Sequence, residues 1–263
     1  MDKRIILIET STALCSTALL EGDAITASRM SDTPRAHASM TAPFIKEMLD
    51  ERGLRVQDCD AVCLSMGPGS YTGLRVGSST AKGLCFGAGI PLLAVGTLDV
   101  LAAQAMEEGL PNGCKYIVPM IDARRMEVYT AVYSADGQRL TNVEPRIIER
   151  IDSIVPDAPS VILSDPSVIL SDPSVILSDP SVILSECEES LSTSVTLFIG
   201  DGASKCEPVL AGPGRFFRQE CPRASAMKAP ALREYAAGAF RNTAYFEPFY
   251  LKDFVATVGK KLF

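Results

Sequence analysis

One imidazole, one glycine-rich turn and a scattering of carboxylates are the residues of this chain whose types could do chemistry. His37 would have to serve in any Ser-His-Asp, Cys-His or His-metal arrangement, because the chain has 1 histidine. A zinc or iron centre normally draws on two or more histidines or on clustered cysteines. The segment His37-Ala-Ser-Met-Thr41 offers no second imidazole one helical turn later. Acidic pairs at Glu107-Glu108 and Glu188-Glu189 lie in polar stretches that read as solvated. No catalytic residue and no metal ligand is therefore assigned, and His37 is read as a helix-start residue.

The turn is MGPGSYTGLRVG, Met66 to Gly77. Counted from Gly67, a P-loop needs Gly-Lys-Ser/Thr where Thr72-Gly73-Leu74 stands, and a dinucleotide fingerprint fails because Thr72 takes the third glycine position. Its context still favours anions. A strand enters a Gly-Pro-Gly turn, Ser70 and Thr72 are N-cap types, and Arg75 falls in the first helical turn. Gly67, Gly69, Ser70, Thr72 and Arg75 are thus a candidate anion-binding turn. Packing is the alternative use of the glycines. Gly73, Gly77, Gly83 and Gly87 each cost a helix about 1 kcal/mol relative to alanine. With Thr80, Ala81 and Leu84, the first two form a small-residue ridge that lets another backbone come close, either the chain's own sheet or a partner.

The elements that must position these residues follow from periodicity. Ile5–Ile8, Cys15–Leu20 and Ala24–Arg29 read as a strand meander. Met40, Phe44, Ile45, Met48 and Leu49 make an amphipathic stripe, predicting a helix over Ala38–Arg52 with Gly53 as its C-terminal cap. Strand Ala61–Met66, helix Thr72–Phe86, strand Leu92–Val95 and helix Leu98–Glu107 complete an α/β lobe with a mixed sheet. A second meander is expected at Lys115–Ile121, Glu127–Tyr133 and Gln138–Val143, turning at Asp136-Gly137. Thr196–Gly200 reads as a late strand and Lys228–Asn242 as a closing helix. Two lobes result, 1–108 and 109–263, with residues 228–242 able to return to the first.

Inside the second lobe PSVILSD recurs from Pro159, ending as PSVILSE at Glu186. A proline in every copy rules out a coiled coil, and an odd period rules out one continuous strand. The repeat is expected to be a poorly ordered surface insertion without a role.

Composition narrows the function class. With 47% hydrophobic and 22% charged residues, the 263-residue chain reads as a soluble globular protein. A formal net charge of -7 makes phosphate neutralisation a weak driving force for this chain alone. Its 8 cysteines are scattered singly, which points to reduced thiols and a cytoplasmic location. The apolar run after the basic N-terminal tip is too short for a signal peptide or a membrane span.

MGPGSYTGLRVG, with IILIETSTALCSTAL, RAHASMTAPFIKEML, DARRMEVY at Asp122–Tyr129 and FEPFYLKDF near the end, resembles the TsaB family. The resemblance covers most of the chain outside the repeat. It implies the ASKHA fold of acetate and sugar kinases, actin and Hsp70, built from two ribonuclease H-like lobes. It also implies a part in making threonylcarbamoyladenosine beside the tRNA anticodon. In that family a TsaD-like transferase holds the metal and does the chemistry, a TsaE-like ATPase joins it, and the TsaB-type subunit binds and activates without catalysing.

On this reading ATP and metal belong to the partner subunits, tRNA is met only through the complex, and the chain alone forms a homodimer with no membrane contact. The metal-binding HxxxH pair of TsaD corresponds to His37-Ala-Ser-Met-Thr41, which lacks the second ligand. Glu9 stands where many relatives carry Asp, and Lys252 where many carry Arg. Family members associate through the helices that correspond to Ala38–Arg52 and Thr72–Phe86. Met40, Phe44, Ile45, Met48, Gly73, Gly77, Thr80, Ala81 and Leu84 thus become candidate interface residues, unless they face the lobe's own sheet. The competing expectation is an independent ASKHA-type nucleotide-dependent enzyme or a peptidase.

Overall fold

A computed structural model describes residues 3–148 and 194–251. The repeat at 159–186 and Lys252 lie outside the described residues. The chain divides into two compact units, one reaching Thr97 and resuming at Pro222, the other spanning Leu98–Cys221.

In the first unit β1 (Arg4–Glu9), β2 (Cys15–Glu21), β3 (Ala24–Ser31), β4 (Ala61–Ser65) and β5 (Leu92–Val95) form a sheet in the order β3-β2-β1-β4-β5. Strand β2 runs antiparallel to both neighbours, and β1, β4 and β5 are mutually parallel. The apolar run Ile5–Ile8 is buried on both faces, as a central strand covered from two sides requires. One face carries α1 (His37–Glu51) and α2 (Tyr71–Ala88), whose Ile45, Met48, Leu49, Ala81 and Cys85 pack with Ile6, Ile8, Val62 and Leu64. The segment Ala224–Met227 and α5 (Lys228–Ala236) pack against β1, β2 and β5.

The second unit repeats this plan. Its strands are β6 (Cys114–Asp122), β7 (Glu127–Thr130), β8 (Tyr133–Ser134), β9 (Glu144–Ile147), β10 (Val195–Ile199) and β11 (Arg215–Arg218). Their order is β11-β10-β6-β7-β9, with β8 paired to β6. Read from β9, this is the first unit's order again, with β7 antiparallel to both neighbours and β6, β10 and β11 parallel. Helix α3 (Thr97–Glu108) buries Leu98, Leu101, Ala102 and Ala105 against Ile117, Ile121, Leu197 and Ile199. Helix α4 (Ala203–Leu210) places Cys206 and Leu210 on Val118, Met120 and Phe198. The fold is the expected α/β architecture of two ribonuclease H-like mixed-sheet units.

Several boundaries differ from the sequence reading. The unit boundary falls at Thr97 instead of 108, because the apolar face of α3 completes the second unit's core. Residues from Pro222 onward count with the first unit. The expected strand Glu127–Tyr133 is split into β7 and β8, and Gln138–Val143 contributes only the bridge Tyr133–Arg139. The closing helix stops at Ala236. Gly238, at φ 65, lets Ala239 N–H bond back to Glu234 O, a left-handed cap that ends the helix early. The 7 described cysteines carry no disulfide, and burial pushes the Cys59 and Cys85 thiols up to about 11. Among the described residues no helix is long and apolar enough to cross a membrane.

Candidate functional site

Two turns of the first unit meet at the ends of adjacent parallel strands. Strand β1 runs into Glu9-Thr10-Ser11-Thr12, all buried at 5% exposure or less. Strand β4 runs into the glycine turn that opens α2. These elements end side by side because β1 and β4 are in register from Ile5 with Ala61 to Ile8 with Leu64.

The glycines are what let the turns touch. A Cβ at Gly69 would lie 2.3 Å from Ser11 O, one at Gly73 2.0 Å from Thr10 O, and one at Gly77 2.3 Å from Thr10 Oγ1. No side chain fits at those distances. Hydrogen bonds tie the contact: Ser70 N–H donates to Ser11 O at 2.6 Å, and Thr10 Oγ1 donates to Gly73 O at 2.9 Å. Ser70 caps α2 by accepting from Gly73 N–H at 3.4 Å.

This geometry decides what the turn presents to a ligand. The amides of Ser70 and Gly73 are engaged within the chain, and the Thr10 and Ser11 carbonyls occupy the space beside Gly69 and Gly73. Carbonyl oxygens repel a phosphate, so the space beside Gly69 and Gly73 does not fit an anion. Gly67 takes φ 109 and meets Phe249 O instead. Thr72 and Arg75 are exposed, with Arg75 Nη1 donating to the Tyr71 hydroxyl at 2.7 Å. The five turn residues fall in one stretch of chain, but Gly67 and Gly69 face Phe249 and Ser11 while Thr72 and Arg75 are exposed.

The buried hairpin turn carries the unusual electrostatics. Glu9 Oε1 accepts from Ser11 N–H at 2.7 Å. Glu9 Oε2, Ser11 Oγ and Thr12 Oγ1 are buried without a hydrogen-bond partner among the described residues. Burial pushes the Glu9 carboxyl up to about 7, against the Ser11 N–H hydrogen bond that would lower it. His37 opens α1, and its Nε2–H donates to Thr12 O at 2.9 Å, so that nitrogen is already committed. No group of three or more His, Cys, Asp or Glu side chains is placed to hold a metal among the described residues.

The candidate interface residues divide into two groups. Phe44, Ile45, Met48 and Ala81 are buried at 6% exposure or less, and Gly73 and Gly77 face Thr10. The chain's own sheet therefore takes most of that surface, because the apolar stripe and the ridge lie on the inward sides of α1 and α2. Met40, Thr80 and Leu84 remain partly exposed. The partners of the glycine ridge, Thr10 and Ser11, were not among the predicted site residues; their signal was the polar run Glu9-Thr-Ser-Thr12 directly after an apolar strand.

A family model described as TsaD: tRNA N6-adenosine threonylcarbamoyltransferase matches residues 30–164. The chain is 37% identical over 133 residues to the Escherichia coli tRNA threonylcarbamoyladenosine biosynthesis protein TsaB, covering 51% of this chain and 56% of that one. It is 34% identical over 142 residues to the Bacillus subtilis protein of the same name, covering 54% and 59%. The chain thus spans about half the length of the curated relatives it matches.

Two solved structures from Pseudomonas aeruginosa share the fold. One is described as an uncharacterized protein with similarity to peptidase YeaZ, with TM-score 0.71, 25% identity and coverage of 95% of this chain and 100% of that one. The other, YeaZ itself, has TM-score 0.69 and 24% identity over 95% and 100%. With a family model matching half of its length, the chain belongs to the TsaD family, and over about half their length it is similar to curated relatives that carry the name TsaB.

Proposed function

We propose that the chain is a non-catalytic subunit in tRNA N6-threonylcarbamoyladenosine synthesis, binding and activating a TsaD-like transferase together with a TsaE-like ATPase. The observation that carries this reading is the surface around the C-terminal halves of α1 and α2. A groove of about 290 Å³ is lined there by Ile45 and Leu49, largely buried in the core, and by Leu54, Val56 and Leu84, with Lys46, Asp50 and Arg55 also lining it. Phe86, two residues along α2 from Leu84, is 89% exposed. Among the described residues, Cβ atoms at Gly83 and Gly87 would meet nothing within 4 Å. An exposed aromatic and open glycines on the helix that lines an apolar groove fit a close helical partner. The committed His37 nitrogen supports a role without catalysis.

The test is reconstitution with the cognate TsaD-like protein, the TsaE-like ATPase, ATP and tRNA. Co-elution and stimulated modification are expected, and Phe86→Ser should weaken both by about tenfold while leaving the fold intact. Absence of co-elution by the wild-type chain would overturn the reading.

An independent nucleotide-dependent enzyme is the second reading, favoured by the three orphaned polar atoms at Glu9, Ser11 and Thr12. Saturable micromolar ATP·Mg binding with turnover by the isolated chain would establish it.

A further inference from the structure

The loop joining β6 to β7 carries an unusual backbone and an unusual pair of side chains. Arg124 and Arg125 sit at φ 69 and φ 50, and with Arg35 they are the non-glycine residues at positive φ among those described. Side chains other than Asn, Asp or Gly rarely adopt that region, least of all at two consecutive positions. A loop selected only for its turn would carry Asn and Gly there.

The loop is nevertheless firmly held. Lys205, projecting from α4, pairs with Asp122 and donates to Arg125 O at 3.0 Å and to Glu127 O at 2.7 Å. Arg124 N–H donates to Asp122 Oδ1 at 2.7 Å, and Ala123 N–H to Glu127 O at 3.0 Å. All of these contacts engage the loop's backbone or Asp122. The Arg124 and Arg125 side chains are exposed, and no described residue forms an ion pair or hydrogen bond with either guanidinium.

We propose that this loop is a preorganised phosphate contact, through which the chain touches the tRNA backbone directly with Arg124 and Arg125. The inference rests on the tRNA-modification reading and departs from the expectation that tRNA is met only through the partner. A guanidinium fork matches a phosphate in bidentate fashion. A loop fixed in advance by Lys205 loses little freedom on binding. Two such contacts give a negatively charged chain a local grip on a polyanion without a broad basic surface.

The test uses the full chain with its TsaD-like and TsaE-like partners, ATP and tRNA. The double variant R124N/R125G removes both charges while supplying residues suited to positive φ, so its urea midpoint should match or exceed that of the wild type. Its KM for tRNA should rise about tenfold near 0.15 M salt, and the log–log salt dependence should flatten by about one per arginine. Co-elution with the TsaD-like protein and kcat should not change. An unchanged KM and salt slope would overturn the proposal. Lost co-elution with an unaltered KM for tRNA at saturating partner would assign the arginines to an acidic protein and overturn it equally. If the wild-type chain fails to stimulate modification, the functional reading falls. The phosphate contact is then decided by whether the variant binds a labelled anticodon stem-loop more weakly than the wild type, equal binding overturning it.

Discussion

In the first unit the strand β1 ends on Glu9, a fully buried carboxyl with one oxygen left unpartnered. In the second unit the corresponding strand β6 ends on Asp122, an exposed carboxylate paired with Lys205. In both units a glycine that follows the next parallel strand meets backbone near the strand end: Gly69 and Gly73 meet Ser11 and Thr10 just past β1, and Gly200 meets Met120 O within β6. The backbone frame is therefore the same and the charge handling is opposite. Where a lysine neutralises the carboxylate, the turn stays at the surface and its arginines remain available. Where no described cation pairs with the carboxyl, burial pushes it up to about 7. A shared fold fixes how closely the turns approach and leaves their electrostatics free to diverge.

The frame itself is the part most sensitive to change. A Cβ at Gly73 would stand 2.0 Å from Thr10 O, and one at Gly200 would stand 2.0 Å from Met120 O. Neither obstacle is a flexible side chain, so Gly73→Ala and Gly200→Ala should each cost on the order of 4 kcal/mol in urea unfolding. Gly200, at φ 137, carries the added cost of an unfavourable backbone region. A loss below about 1 kcal/mol at either position would break the equivalence of the two turns.

The electrostatic contrast is the next largest effect. A buried acid whose folded pKa of about 7 exceeds its usual value of 4.5 binds more protons folded than unfolded. Stability should therefore fall as pH rises from about 4.5 to about 7, and Glu9→Gln should remove that fall. The gain should reach about 3 kcal/mol at pH 8 and be near zero at pH 4 to 5. Thermal melts of both proteins across that range decide it, and a gain equal at every pH would assign the effect to packing. Asp201, pushed up to about 6 chiefly by burial, adds a smaller slope of the same sign in the second unit.

The sequence made the first unit's frame legible because its signals are local: alternating apolar strands, the Met40 to Leu49 stripe, Gly53 at a helix end. The purpose of the glycine ridge was not legible. Spacing shows that a backbone comes close to Gly73 and Gly77, but not that Thr10 supplies it from 63 residues away. The second unit was harder to read for the same reason. Its glycine turn at Gly200 depends on the pairing of β10 with β6, and α4 and β11 are short elements of 8 and 4 residues. Lys205 gives no sign in sequence that it reaches Asp122.

That lysine supports the third prediction. Lys205→Met keeps the aliphatic stem but removes the hydrogen bonds to Arg125 O and Glu127 O and a half-exposed ion pair. The cost should be about 1–2 kcal/mol, accompanied by faster amide exchange of residues 123–127. Unchanged exchange would show that the backbone bonds hold the loop without the lysine, which would weaken the contrast with the first unit.

The smallest effect sharpens the contrast within one helix. Gly73 and Gly77 lie in the half of α2 that touches the hairpin turn, whereas a Cβ at Gly83 would meet nothing within 4 Å among the described residues. Gly83→Ala should therefore stabilise the isolated chain by about 0.5–1 kcal/mol, the ordinary helix preference for alanine. A glycine that no described residue crowds leaves room for an approach from outside the chain. If a partner helix approaches there, the same substitution should weaken association with the TsaD-like protein while raising the urea midpoint. Opposite signs in the two measurements would mark the outer half of α2 as a surface kept open for a partner. A gain in both would return Gly83 to neutral surface and leave Phe86 and the groove to carry the interface alone.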